Sequence, residues 1–127
     1  MTKQTMTKQR FINQWLRHFA PGLRRKDYET YVKNQFIWHI FSFGILRPDG
    51  LLEGEEASRA FDCMDKESCI CCDMFDNGGV KASLPTDYDT AAKIEAGLSE
   101  FYVVAGDYSW TFVKTHSGHC YFLDRQV

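Results

Sequence analysis

The sequence has no apolar run of about 18 residues, the length that a membrane-spanning helix needs. Its first residues, MTKQTMTKQRF, are polar and lack the apolar core of a secretory signal peptide. The phosphate-binding patterns G-x-x-x-x-G-K-[ST] and G-x-G-x-x-G are absent, and so is the nucleophile motif G-x-S-x-G. We therefore expect a cytoplasmic protein with no membrane partner and no cofactor.

The chain is too short for two ordinary domains and long enough for one. Its 127 residues fall in the usual range of a single domain with one core. Hydrophobic residues make up 44% of the chain, which is more than a disordered chain carries. The five cysteines are an odd number and come without a signal peptide, so we interpret them as reduced thiols. We predict a single domain over 1–127.

The charge is divided unevenly along the chain. Residues 1–34 contain eight Lys or Arg against two acidic residues, whereas the remainder contains seven against fifteen. Within 49–76, nine acidic residues face two basic ones. Such asymmetry indicates a charged partner.

Helices are predicted from the spacing of apolar residues and from capping residues. Thr7 is a suitable N-cap, and Phe11, Trp15 and Phe19 recur on one helical face before Pro21 ends the pattern. We predict two N-terminal helices and two further short ones, over 7–19, 24–34, 54–64 and 86–96.

Strands are predicted from β-branched and aromatic runs bounded by turn residues. The segment 76–79, Asp-Asn-Gly-Gly, is a strong hairpin signal. We predict strands over 36–46, 68–75, 80–84, 101–105, 109–115 and 120–123. For the apolar run 36–46 a buried helix is the alternative, because its residues show no periodicity that separates the two. Leu52-Glu53-Gly54 is interpreted as a turn. The fold class is α+β, with a mainly antiparallel sheet of about five to six strands.

Two clusters contain residues that can bind metal. His116, His119 and Cys120 lie close in sequence, and Cys69-x2-Cys72 matches half of a zinc motif. In a strand, however, Cys69 and Cys71 share one face and Cys72 points to the other. We interpret the His119/Cys120 pair as a turn and a strand start, expect no metal, and keep a zinc-stabilised scaffold as an alternative.

A polar group inside an apolar strand needs a partner. His39 lies in the apolar run 36–46, and its expected partner is His116 or an acidic residue, so we predict a cleft formed by Trp38, His39, Trp110 and His116. A small enzyme or ligand-binding protein that uses His39, Glu53 and His116 is the alternative function. No convincing catalytic set accompanies them, and we expect no enzyme.

The two charged regions suggest different partners. The basic N-terminal third contains aromatic residues that fit the inner face of a helix better than a stacking platform, so nucleic acid is not expected. The acidic segment can steer a basic protein, and a toxin domain is the partner that we expect. The predicted partner-binding residues are Glu53, Glu55, Glu56, Asp62, Asp65, Asp73 and Asp76.

Three blocks carry a family resemblance: Trp38 to Phe43, Leu52 to Asp62 and Tyr102 to His116. In order and spacing they resemble the bacterial domain-of-unknown-function family 4275, over about residues 35–123. Two departures are Ser117, where that family usually has Glu, and His119-Cys120, where it has Gly-Pro. The resemblance implies no established activity.

Together these observations predict a non-enzymatic cytoplasmic binding protein, with a basic helical segment over 1–34 followed by the family-like region. The size, the missing catalytic set and the acidic segment favour an immunity protein that neutralises a toxin.

Overall fold

The structure is a computed structural model of the chain, and it describes residues 7–32, 50–66, 68–73, 80–81, 90–96, 100–115 and 118–124. It confirms a single-domain α+β fold. The helices are α1 Lys8–Phe19, α2 Arg25–Asp27 with the following π-helical turn Tyr28–Val32, α3 Glu55–Asp62 and α4 Ala91–Glu95. The strands are β1 Leu52–Glu53, β2 Cys69–Asp73, β3 Val80–Lys81, β4 Phe101–Ala105, β5 Trp110–Lys114 and β6 Cys120–Asp124.

The strands form one sheet in the order β1-β6-β5-β4-β2-β3, and neighbouring strands are antiparallel. The predicted hairpin is present, since β2 pairs with β3, and the three C-terminal strands pair in sequence. At residues 52–54 the structure differs from the predicted turn. Leu52 pairs with Phe122 along the edge of β6, and the chain turns only at Gly54, whose φ is +64°.

Helix α1 covers one face of the sheet. Thr7 caps it by accepting a hydrogen bond from the Arg10 N–H at 3.1 Å. Its residues at spacing four, Phe11, Trp15 and Phe19, are buried against the sheet. The Trp15 indole donates to Thr111 Oγ1 at 2.9 Å, which fixes the helix to the centre of the sheet.

Helices α3 and α4 cover the opposite face. Helix α3 buries Ala57 and Phe61, and α4 buries Ala91 and Ile94. The Phe61 ring stacks on the ring of Phe112 in β5, and the two ring centroids lie 4.3 Å apart. Because both faces are covered, all five residues of β4 and of β5 are buried.

Several predicted elements are seen in part. The second helix continues through Val32 and the fourth begins at Ala91, while the strand predicted over 36–46 lies outside the described residues. Of the helices within the described ranges, none has both the length and the apolar character that crossing a bilayer requires.

Candidate functional site

A groove of about 600 Å³ lies between α3, α4 and the start of β6. This volume is within the range of protein sites that bind small molecules or side chains. The groove is lined by Glu53, Gly54, Glu55, Ser58, Arg59, Asp62, Glu95, Gly118, His119, Cys120 and Tyr121.

One side of α3 supplies much of the lining. Glu55, Ser58 and Asp62 follow one another at helical spacings of three and four residues, so they form one stripe along the helix. Gly54 precedes the helix, and its N–H donates to the carbonyl of Cys120 at 3.0 Å. This bond attaches the first turn of α3 to β6 and sets the width of the groove at that end.

The inner end of the groove contains a protonated thiol. Cys120 is 3% exposed, and burial raises the pKa of its thiol to about 11, with the neighbouring Glu95 carboxylate adding to the shift. The Ser58 hydroxyl donates to Glu95 Oε2 at 3.2 Å and so links α3 to α4. Because the thiolate is the nucleophilic form of cysteine, Cys120 is unsuited to nucleophilic catalysis at neutral pH.

The lining is predominantly acidic. It contains four carboxylates, those of Glu53, Glu55, Asp62 and Glu95, against the single guanidinium of Arg59. A concave surface lined by one sign of charge concentrates the field and attracts ligands of the opposite sign. The groove is therefore suited to cationic groups.

Three of the seven predicted partner-binding residues, Glu53, Glu55 and Asp62, line this groove. Glu53, Glu55, Glu56, Asp62 and Asp65 are exposed, and they lie on β1, on α3 and just after α3.

Two other predicted residues lie elsewhere. Asp73 is half-buried at the end of β2, four strands from β1 in the sheet, which corresponds to roughly 19 Å. Asp76 lies outside the described residues. The acidic segment is therefore not one continuous surface.

Asp62 also has a structural contact. Its Oδ1 accepts a hydrogen bond from the Ala91 N–H at 2.8 Å, at the first turn of α4. An acidic side chain at this position satisfies a backbone N–H that has no partner inside the helix. The Asp62 carboxylate thus holds α4 beside α3 in addition to lining the groove.

One member of the predicted cleft belongs to the core. Trp110 is 4% exposed, stacks on Phe122 with centroids 5.7 Å apart, and meets Phe61 edge to face at 6.0 Å. The other three members, Trp38, His39 and His116, lie outside the described residues. The cleft and the His39/Glu53/His116 alternative remain predictions.

The cysteines of β2 are divided as the strand pattern predicts. Cys69 and Cys71 pack in the core on the α3 side, and Cys72 packs on the α1 side. Burial raises the pKa of the Cys69 thiol to about 11. Over the part of the chain that the structure describes, no three His, Cys, Asp or Glu side chains converge in a way that could hold a metal ion.

Sequence reasoning missed Ser58 and Glu95, and it interpreted His119 and Cys120 as architectural. The structure places His119 just before the last strand and Cys120 at its start, as predicted, and both residues also line the groove. Glu95 had no signal beyond being a helical carboxylate, because its proximity to Ser58 depends on how α4 packs beside α3.

No curated protein and no solved structure matches this chain. The family model of DUF4275, a domain of unknown function, matches residues 1–122. The match includes α1, whose apolar residues pack in the core, and it includes the three sequence blocks between Trp38 and His116. The chain therefore belongs to the DUF4275 family.

Proposed function

We propose that this chain is a non-enzymatic cytoplasmic binding protein, specifically an immunity protein that covers a basic toxin domain with its acidic surface. The acidic surface is defined as Glu53, Glu55, Glu56, Asp62 and Asp65. The observation that supports the proposal is that the exposed carboxylates of Glu53, Glu55 and Asp62 line one groove, with Glu56 exposed on α3 and Asp65 just after that helix.

The basic residues of the same segment do little to neutralise this surface. Lys66 donates through Nζ to the carbonyl oxygens of Asp62 and Met64, each at 3.2 Å, and lies 4.7 Å from the centroid of the Phe61 ring. Its ammonium group is thus turned toward the backbone and the aromatic core. Arg59 is the other basic residue between 50 and 66. The surface retains a negative potential that can steer a basic protein.

The opposite face of the molecule carries the opposite charge. Arg10 and Arg17 are exposed on α1, and Lys26 is exposed on α2. A basic partner is repelled from this face and attracted to the acidic one, which orients it before contact. This arrangement supports binding through one defined side of the sheet.

The chemistry of the groove favours binding over catalysis. Cys120, the thiol of the groove lining, keeps its proton at neutral pH because burial raises its pKa to about 11. A neutral thiol is a poor nucleophile, and a carboxylate-rich groove suits cation recognition.

The test is capture of a partner from a lysate of the source organism at low salt. The captured protein is then purified and its affinity is measured for the wild type, for Glu55→Lys on the acidic surface, and for Glu29→Lys on the π-helical turn. Both variants change the net charge equally. We expect Glu55→Lys to weaken binding about tenfold, since like charges across an interface are repulsive, and Glu29→Lys to have little effect.

Immunity requires a further result. Co-expression of the chain must protect cells from growth inhibition by the captured protein, and the protection must be lost with Glu55→Lys. The proposal fails if no basic protein is captured, if both variants bind equally well, or if the partner is harmless when expressed alone.

A further inference from the structure

We propose that the groove between α3 and α4 receives the side chain of an arginine that protrudes from the basic partner. This inference rests on the proposed function and names the part of the acidic surface that gives it specificity. It assigns to Ser58, Glu95 and Cys120 a role in recognition that the charge pattern of the sequence does not reveal.

The shape of the groove is the first reason. A flat acidic surface attracts any cation, but a groove of about 600 Å³ presents carboxylates to an entering side chain from more than one element and shields part of it from water. Interfaces derive most of their binding energy from a few residues that fill such pockets, and arginine is among the commonest of them. The groove adjoins the acidic surface, because Glu53, Glu55 and Asp62 belong to both.

The placement of the carboxylates is the second reason. Glu53 and Glu55 come from β1 and the first turn of α3, whereas Glu95 comes from the last residue of α4. Carboxylates supplied by separate elements suit the planar guanidinium, whose five N–H donors form a fork, better than the compact ammonium of lysine.

The carboxylate of Glu95 has a more fixed position than the other carboxylates of the groove. The Ser58 hydroxyl holds Glu95 Oε2 at 3.2 Å, and the buried thiol of Cys120 lies beside the same carboxylate. Glu95 is exposed, but a carboxylate held by a neighbouring hydroxyl loses less conformational entropy on binding than an exposed carboxylate without such a bond. Glu95 is therefore expected to contribute more to arginine binding than Glu56, which is exposed on α3 and does not line the groove.

Arg59 influences where a cation can enter the groove. It is the one basic side chain of the lining besides His119, and it would oppose a cation that enters along its side of the groove. An incoming guanidinium is therefore directed toward Glu53, Glu55 and Glu95.

The experiment uses the full chain labelled with ¹⁵N and two small probes, Nα-acetyl-arginine amide and Nα-acetyl-citrulline amide. Both ends of each probe are capped and therefore uncharged. The probes have nearly the same shape, but only the first carries a charge. At low salt we expect the arginine probe to shift the amide resonances of Ser58, Glu95 and Cys120 and to leave those of Asn13 on α1 unchanged. The citrulline probe should cause no comparable shift.

Matched variants complete the test. Glu95→Gln and Glu56→Gln remove the same charge, and we expect about a tenfold loss of arginine-probe affinity for the first and less than a twofold loss for the second. Glu53→Gln serves as a second groove variant if Glu95→Gln does not fold. The inference is overturned if the arginine probe does not bind, if citrulline binds equally well, or if the groove variants retain wild-type affinity.

The outcome can be separated from that of the proposed function. If the probe binds in the groove but no basic protein is captured, the proposed function fails while the groove remains an arginine site. If a partner is captured and its affinity is unchanged by Glu95→Gln and by Glu53→Gln but reduced by Glu56→Lys, the function stands and insertion into the groove is wrong.

Discussion

The two faces of the sheet are covered in different ways. The α1 face is covered by a helix of 12 residues that buries Phe11, Trp15 and Phe19 in one continuous row, and Leu23 and Tyr28 pack beside it. The α3/α4 face is covered by helices of eight and five residues that meet near Glu95. The groove lies where these two short helices meet the start of β6.

The difference extends to charge. The exposed residues of α1 include Arg10 and Arg17, while those of α3 include Glu55 and Glu56. The α1 face carries positive charge, and the α3/α4 face combines a groove with negative charge. The comparison teaches that both faces contribute a buried core, whereas the proposed recognition site belongs to the second.

The largest effect should come from Trp15 at the centre of the α1 face. Replacing it with Ala removes a fully buried ring and its bond to Thr111, and we expect the free energy of unfolding to fall by about 3–5 kcal/mol. Phe61→Ala on the other face removes a buried ring without a hydrogen bond and should cost less. Urea unfolding of both variants measures the difference, and the reverse order would contradict the comparison.

The second effect is a loss of stability in alkaline solution that arises on the α3/α4 face. Folding raises the pKa of Cys69 and of Cys120 from 9.0 to about 11. Between pH 9 and pH 11 the folded chain therefore keeps thiol protons that the unfolded chain has lost. The free energy of unfolding should therefore be unaffected below pH 9 and fall between pH 9 and 11, by up to about 2–3 kcal/mol for each thiol.

The cysteine variants assign this loss to its source. Urea unfolding as a function of pH should show a much smaller decline for the double variant Cys69→Ala/Cys120→Ala than for the wild type. Cys63→Ala is the control, because Cys63 is exposed. Burial also raises the pKa of Tyr108 on the α1 face from 10.0, so some decline above pH 10 should persist in the double variant. An unchanged decline in that variant would refute the assignment.

The third effect tests the bond that fixes α1. Thr111 Oγ1 accepts from the Trp15 indole and donates to the carbonyl of Val103, each at 2.9 Å. Thr111→Val keeps the shape but leaves a buried N–H without this acceptor, which should cost about 1–3 kcal/mol. In a Trp15→Phe background the same substitution should cost less, because the indole donor is gone. Equal costs in both backgrounds, measured by urea unfolding, would show that the bond is not important.

The smallest effect separates structure from recognition on α3. Asp62→Ala removes the acceptor for the Ala91 N–H, and we expect a loss of about 1 kcal/mol in the free energy of unfolding. Glu56→Ala on the same helix should change it by less than about 0.5 kcal/mol, as is usual for exposed positions. If the two variants unfold alike, the contact between Asp62 and α4 does not stabilise the fold.

Much of the fold followed from local patterns. Helix α1 was predicted with its cap at Thr7, because the spacing of Phe11, Trp15 and Phe19 repeats over three turns. The strands β4, β5 and β6 were predicted nearly to the residue, since β-branched and aromatic runs end at clear turn residues. Strand β1 was missed, because a two-residue strand has no periodicity and exists only through its pairing with β6.

The candidate site was less accessible to sequence reasoning. The acidic residues Glu53, Glu55 and Asp62 were selected from charge alone, and the structure places them in the groove lining. Asp73 was selected for the same reason, but it lies at the end of β2, which is four strands away from β1 in the sheet. Charge along a sequence does not distinguish these cases, because it carries no information about which elements become neighbours.

The sequence by itself determined the α+β class, the amphipathic α1, the C-terminal strands and the family, because each depends on residues that are close together in the chain. Only the tertiary structure decided that α3 and α4 lie side by side and that Ser58, Glu95 and Cys120 meet. Ser58 and Glu95, whose side chains are hydrogen-bonded, lie 37 positions apart in the chain, so their contact depends on the packing of α3 and α4 against a shared core.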